Sequence, residues 1–204
     1  MATKSGTMSA PRHNQIQYYL QGSVPSSNLD SLIQRLKGLC EMAAESDSVF
    51  EDHEMVYNLK GGSSNVTFRV RRSILAPNAL WQLCYLGSPE GGGDKTRQAS
   101  MRTCVEVAAS DNVSLFLEEI GFRFDHELVL KGYCFRKGNM KIKVSKIYRV
   151  LSRGDVNRIQ PLTDSHLVEM TANSTVQQDT IAEEIKAFGE HLKPITVLER
   201  AEQR

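Results

Sequence analysis

Apolar and polar residues alternate on either side of Gly138-Asn139, along the stretch RFDHELVLKGYCFRKGNMKIKVSKIYRVLS from Arg123 to Ser152. A period of two marks a β-strand with two unlike faces. Glycine and asparagine tolerate the positive φ angles of tight primed turns, so the stretch predicts a hairpin closed by Lys137 and Met140. In that register Phe135 faces Ile142, Tyr133 faces Val144, Lys131 faces Lys146, Val129 faces Tyr148 and Glu127 faces Val150. The expected inner face is apolar apart from its Lys131/Lys146 layer and the acid at its end. Two such lysines cannot sit charged in a dry core, so this basic pair in the barrel interior requires a carboxylate, water or an anion beside it. The expected outer face carries Arg136, Lys141, Lys143, Arg149 and His126, with Leu128, Leu130, Ile147 and Leu151 clustered among them. That cluster is the candidate partner surface, unless a helix expected at 177–192 lies across it through Ile181, Ile185 and Phe188. Arms of about 15 residues exceed the usual strand of about 5–6 and predict a large curved sheet or a barrel.

The rest of the chain supplies more strands of the same kind. Ile16, Tyr18 and Leu20 alternate in a first strand over Gln15–Val24. Ser26-Ser27-Asn28 offers a cap to an amphipathic helix with Leu29, Leu32, Ile33, Leu36, Leu39, Cys40 and Ala43 on one stripe. A second hairpin pairs Leu59 with Val66, Tyr57 with Phe68 and Met55 with Val70, leaving His53 opposite Arg72 and Glu54 opposite Arg71. Trp81, Leu83 and Tyr85 share one side of a third strand, and TCVEVAA (103–109) reads as a further one. Val113, Phe116, Leu117 and Ile120 mark a short helix capped by Ser110-Asp111 and ended by Gly121. A polar connection at 152–163 leads to SHLVEMTA (165–172), then to the helix at 177–192, halted by Pro194. ITVLE (195–199) predicts a last strand. The expected fold is α+β, mainly antiparallel: one β-barrel of about eight strands over residues 15–200, flanked by about three helices, after a flexible tail at 1–14.

Composition narrows the function classes. Hydrophobic residues make up 40% of the 204 and charged residues 24%, ordinary for a globular chain. A net charge of +1 argues against nucleic-acid binding through bulk electrostatics. No apolar run approaches the ~20 residues that span a bilayer as a helix, and the polar N-terminus lacks the apolar centre of a secretory signal. The reading is cytosolic or nuclear. Cys40, Cys84, Cys104 and Cys134 fit no paired CxxC pattern and read as reduced, packed thiols rather than metal ligands.

Catalytic motifs are absent. No HExxH, GxSxG or histidine cluster occurs, and the triple glycine in SPEGGGDKTR lacks the GK[ST] ending of a phosphate loop. FEDHE (50–54) and FDHE (124–127) resemble each other, yet neighbouring residues in a strand diverge, so neither segment alone makes a metal site. Glu51, Asp52, Glu54, Glu127 and Glu169 are the acidic candidates. Arg69, Arg71 and Arg72 with Lys141 and Lys143 read as a solvated strand face, without the interleaved aromatics of an RNA-stacking sheet.

Several long segments have a familial look: YYLQGSV, LDSLIQRLKGLCE, DHEMVYNLKG, LWQLCYLGSPEGGGDK, the long hairpin, HLVEMT and FGEHLKPITVLE. In this order, from about Ile16 to Glu199, the chain resembles the family of Mediator subunit 18, of the RNA polymerase II transcription machinery. The resemblance implies a nuclear, non-enzymatic structural subunit of the Mediator head module, a coactivator linking gene-specific regulators to RNA polymerase II. It further implies a pair with Mediator subunit 20, docking of the C-terminal helix of subunit 8, and no cofactor or metal. The family barrel is distantly similar to triphosphate-tunnel enzymes, which carry an ExExK motif on an early strand. Gln15–Val24 has no acid, so a tunnel-type metal-dependent phosphohydrolase is the alternative reading, with Lys131 and Lys146 as the remains of a basic tunnel.

Overall fold

The long hairpin forms in the register read from its sequence, β6 (Arg123–Lys137) against β7 (Met140–Val150), with Lys131 opposite Lys146 and Leu130 opposite Ile147. Of the two turn residues only Gly138 adopts a positive φ, 53°. The computed structural model describes residues 15–41, 49–59, 66–89 and 97–201. The expected tail at 1–14, the GlyGlySerSer turn and most of the triple-glycine loop lie outside them. Five further strands precede the hairpin: β1 (Gln15–Pro25), β2 (Val49–Leu59), β3 (Val66–Ser73), β4 (Trp81–Leu86) and β5 (Ser100–Ala109). After it come β8 (Ile159–Pro161) and β9 (Ser165–Ser174). The second hairpin also pairs as expected, with Met55 opposite Val70, Glu54 opposite Arg71 and His53 opposite Arg72.

Antiparallel neighbours run β6-β2-β3-β4-β5-β1-β9-β7, and the β6–β7 pairing closes them into an eight-stranded barrel. The ninth strand, β8, pairs only with the far end of β7. Closure removes the free edges that an open sheet exposes. Three helices pack against this barrel: α1 (Leu29–Leu39), α2 (Val113–Glu119) and α3 (Asp179–Glu190).

The helices decide which strand face is outside. Leu32, Ile33 and Leu36 of α1 and Ala182, Ile185 and Phe188 of α3 are buried in one cluster with Tyr18, Leu20, Phe135, Ile142, Val144, Val168 and Met170. Val113 and Leu117 of α2 pack into a second cluster with Met55, Tyr57, Val70 and Trp81. The registers carry both sets on the same, helix-covered side of the sheet. The apolar face of the long hairpin is therefore the barrel's exterior, contrary to the expectation that it lines the interior. Lys131 and Lys146, in its register, also point outward. Leu128, Leu130 and Ile147 belong to the opposite face and turn inward. Nor does α3 cover them, because its apolar stripe is used on the exterior cluster.

Three local details differ from the expectation. The polar connection at 152–163 contains β8, since β9 leaves β7 after Ser145 and frees backbone for a new partner. ITVLE makes only an isolated bridge, Glu199 to Gln21. It crosses β1 closely: a Cβ on Gly22 would collide with the Val197 carbonyl oxygen. The residue before α2 is Asn112, without a side-chain cap bond, rather than a Ser110-Asp111 cap, while Gly121 takes the expected positive φ of 102° after the helix.

Candidate functional site

The inward face of the barrel is polar almost all round. β1 contributes Gln15, Gln17, Tyr19 and Gln21; β9 contributes Glu169, Thr171 and Asn173; β7 contributes Lys141 and Lys143. Asp52 and Glu54 of β2, Arg69 and Arg71 of β3, Cys84 of β4, and Arg102, Cys104 and Glu106 of β5 continue the ring, and β6 closes it with Leu128, Leu130 and Cys134. Side chains converge inside a barrel, so charges can reach past a neighbouring strand. Lys143 Nζ lies 3.1 Å from Asp52 Oδ2 across β6, and Arg71 Nη2 lies 3.3 Å from Glu106 Oε1 across β4. Arg102 Nη2 lies 3.8 Å from Glu169 Oε1 across β1, and the same guanidinium donates two bonds to Gln17 Oε1 at 2.8 and 2.6 Å. Its plane also covers the Tyr19 ring at 4.2 Å. Arg69 Nη1 donates to Glu54 Oε1 at 3.0 Å.

Burial lowers the charged-state preference of Arg71, but Asp52, Glu106 and Glu54 outweigh it and hold its pKa above the ordinary arginine value. Lys141 has no such support. Burial, with Lys143 next to it, depresses its pKa, and it makes no ion pair among the described residues. The interior is thus a network in which Asp52, Glu54, Glu106 and Glu169 are each already engaged by a cation or an amide. A catalytic Mg²⁺ needs carboxylates that converge on one empty point, and these four do not offer it.

One trio differs. Cys84 stands opposite Glu106, and Cys104 lies two residues earlier on Glu106's own strand. The two sulfurs and a Glu106 carboxylate oxygen lie within 4.8 Å of one another. Cys84 Sγ donates to Glu106 Oε1 at 3.7 Å, and Gln17 Nε2 donates to Cys104 Sγ at 3.9 Å. A hydrogen bond between the thiols, followed by burial, raises Cys84, and the same bond lowers Cys104. Burial pushes Cys40, on the exterior, up to about 11, while Cys134 is only half-buried.

The residues singled out in the sequence fall in separate places. Leu128, Leu130 and Ile147 face the interior, and of that cluster only Leu151 is well exposed, at 54%. Lys131 and Lys146 sit side by side outside; Lys131 meets Glu51 at 2.8 Å and Lys146 donates to Ser26 Oγ at 3.3 Å. The two Asp-His-Glu segments do meet, though between strands rather than within one: His53 Nε2 is 3.2 Å from Glu127 Oε2. Glu127 is buried and accepts the Gly154 backbone N–H at 2.6 Å, which makes it a structural brace. Gln17, Arg102 and Glu106 escaped the sequence reading, because an amide or a single charge in one strand carries no signal until its partner strand is known.

A family model described as Med18 protein matches residues 16–203. A Danio rerio protein named Mediator of RNA polymerase II transcription subunit 18 is 49% identical over 94% of this chain and 91% of its own length. The chain belongs to the Med18 family. Among solved structures, a chain of the Schizosaccharomyces pombe Mediator head module superposes with a TM-score of 0.69, covering 91% of this chain and 98% of that one at 15% identity. The Mimivirus capping enzyme triphosphatase has a TM-score of 0.53 at 7% identity, covering 87% of this chain and 89% of that one. Both likenesses concern the fold. In this Med18 barrel the inward positions of β1 include Gln15, Gln17, Tyr19 and Gln21, with no carboxylate among them. The neighbouring inward acids of an early strand are instead Asp52 and Glu54 of β2, and both are paired with cations, Asp52 with Lys143 and Arg71 and Glu54 with Arg69.

Proposed function

We propose that the chain is a non-enzymatic, architectural subunit of the Mediator head module, working in the nucleus as part of a transcriptional coactivator. The observation that carries this reading is the Med18 family membership along nearly the whole chain, joined to an interior whose carboxylates are already engaged. A barrel with its inward carboxylates engaged and its apolar core outside is a rigid body for other chains to hold. The partners proposed are Mediator subunit 20, as a stable pair, and the C-terminal helix of subunit 8. The barrel domain spans residues 15–200. With Leu128, Leu130 and Ile147 turned inward, only Leu151 of that cluster remains available to a partner.

The test is capture of the tagged full-length chain from nuclear extract, followed by mass spectrometry. Recovery of the head-module subunits, subunits 20 and 8 included, supports the reading. A chain that elutes without any Mediator subunit refutes it.

A further inference from the structure

We propose that Cys84, Cys104 and Glu106 form a thiolate–carboxylate site for one zinc ion on the inner wall of the barrel. The three donors come from two adjacent, hydrogen-bonded strands, so the backbone presents them as a rigid patch. Zinc bonds thiolate sulfur at about 2.3 Å and carboxylate oxygen at about 2.0–2.2 Å, so a tetrahedral site needs sulfur and oxygen about 3.5 Å apart. Cys84 Sγ and Glu106 Oε1 stand 3.7 Å apart already. The remaining sides of the triangle are at most 4.8 Å, against the roughly 3.8 Å that two sulfurs keep around a tetrahedral zinc.

Charge and donor type agree with a soft divalent ion. Two thiolates and a carboxylate carry three negative charges and the ion two positive ones. Arg71, 3.3 Å from Glu106, supplies the third. The loaded site is then neutral, which a partly desolvated wall requires. Sulfur ligands favour zinc over the oxygen-seeking Mg²⁺ or Ca²⁺, so the site is unrelated to a phosphohydrolase metal. Gln17 donates its amide N–H to Cys104 Sγ and holds that ligand from the outer shell. Three protein ligands leave one position toward the interior for water. On binding, the sulfur–hydrogen bonds of Cys84 and Cys104 give way to sulfur–zinc bonds, and the protons pass to solvent. No oxidant or reductant takes part.

The experiment titrates the full-length chain, reduced with a phosphine, first with Co²⁺ and then with Zn²⁺. One equivalent of Co²⁺ should raise a thiolate-to-cobalt charge-transfer band, which Zn²⁺ displaces. Cys84→Ser and Cys104→Ser should each abolish the band, Glu106→Gln should weaken binding more than about tenfold, and Cys134→Ser should leave it unchanged. Should either serine variant fail to fold, the wild-type chain decides: Zn²⁺ must slow alkylation of Cys84 and Cys104, mapped by mass spectrometry, while Cys134 reacts as before. Absence of the band, its survival in either folded serine variant, or alkylation of the pair indifferent to Zn²⁺ overturns the proposal.

Discussion

The two faces of the barrel wall are made by the same strands, yet they do opposite work. Outside, Tyr18, Leu20, Ile142, Val144 and Met170 are sealed beneath α1 and α3, and Tyr57 and Val70 beneath α2. Inside, the same strands offer Gln17, Glu169, Lys143, Asp52 and Arg71 to one another. Small barrels are commonly filled by packed side chains; in this one the hydrophobic core is displaced to the outer surface and the helices close it. Stability should therefore depend on the helix-covered exterior, where lost atoms leave cavities. The interior should respond to changes of charge balance, because many of its side chains are charged and partly exposed.

The comparison can be broken most directly by removing helix packing. Ile185→Ala, at a fully buried position, should cost about 2–5 kcal/mol in denaturant unfolding, as large-to-small core changes do. A smaller loss should follow Asp52→Asn, which leaves Lys143 and Arg71 without their shared carboxylate. We expect about 1–3 kcal/mol from the uncompensated charge, read as a lower urea midpoint with an unchanged slope.

Lys141→Met should be neutral to about 1 kcal/mol stabilising at neutral pH, because an apolar side chain of similar length replaces a desolvated ammonium with no ion pair among the described residues. Its folded pKa lies below the ordinary lysine value. Between those two values the unfolded chain binds more protons, so the wild type gains stability as pH rises through that window. Below the window the charge is a constant cost, and the Met variant should lack both the cost and the rise. Thermal melts of the two proteins from pH 7 to 10 check this. The least effect belongs to the Lys131→Met, Lys146→Met double variant. Both lysines lie on the exterior and are partly exposed, so the change should stay within about 0.5 kcal/mol by the same melts.

Much of this architecture was legible in the chain. The period of two and the Gly138-Asn139 turn were enough to pair Lys131 with Lys146 and Leu130 with Ile147, and the helical stripes gave Leu32, Ile33, Leu36, Ile185 and Phe188. The inside and outside of the wall were not legible. Alternation distinguishes two faces but does not say which one a closing sheet turns inward. Apolar Phe135 and Ile142 suited an interior as well as a helix-covered exterior. The candidate site was hidden for a related reason: Gln17 and Arg102 stand 85 residues apart in sequence and meet only when β1 pairs with β5. Cys84 and Cys104 likewise showed no ligand spacing, since strand pairing rather than a short motif brings them together.

If the barrel interior serves as a structural charge network rather than a catalytic tunnel, the purified chain hydrolyses no triphosphate. Phosphate release from tripolyphosphate and from triphosphate-ended RNA, with the purified full-length chain in Mg²⁺ or Mn²⁺, tests it most directly. No release above the protein-free blank is expected with either metal, because among the described residues the inward carboxylates do not converge on one empty point that an oxygen-seeking ion could occupy. Metal-dependent release that disappears in Glu54→Gln or Glu169→Gln would contradict it.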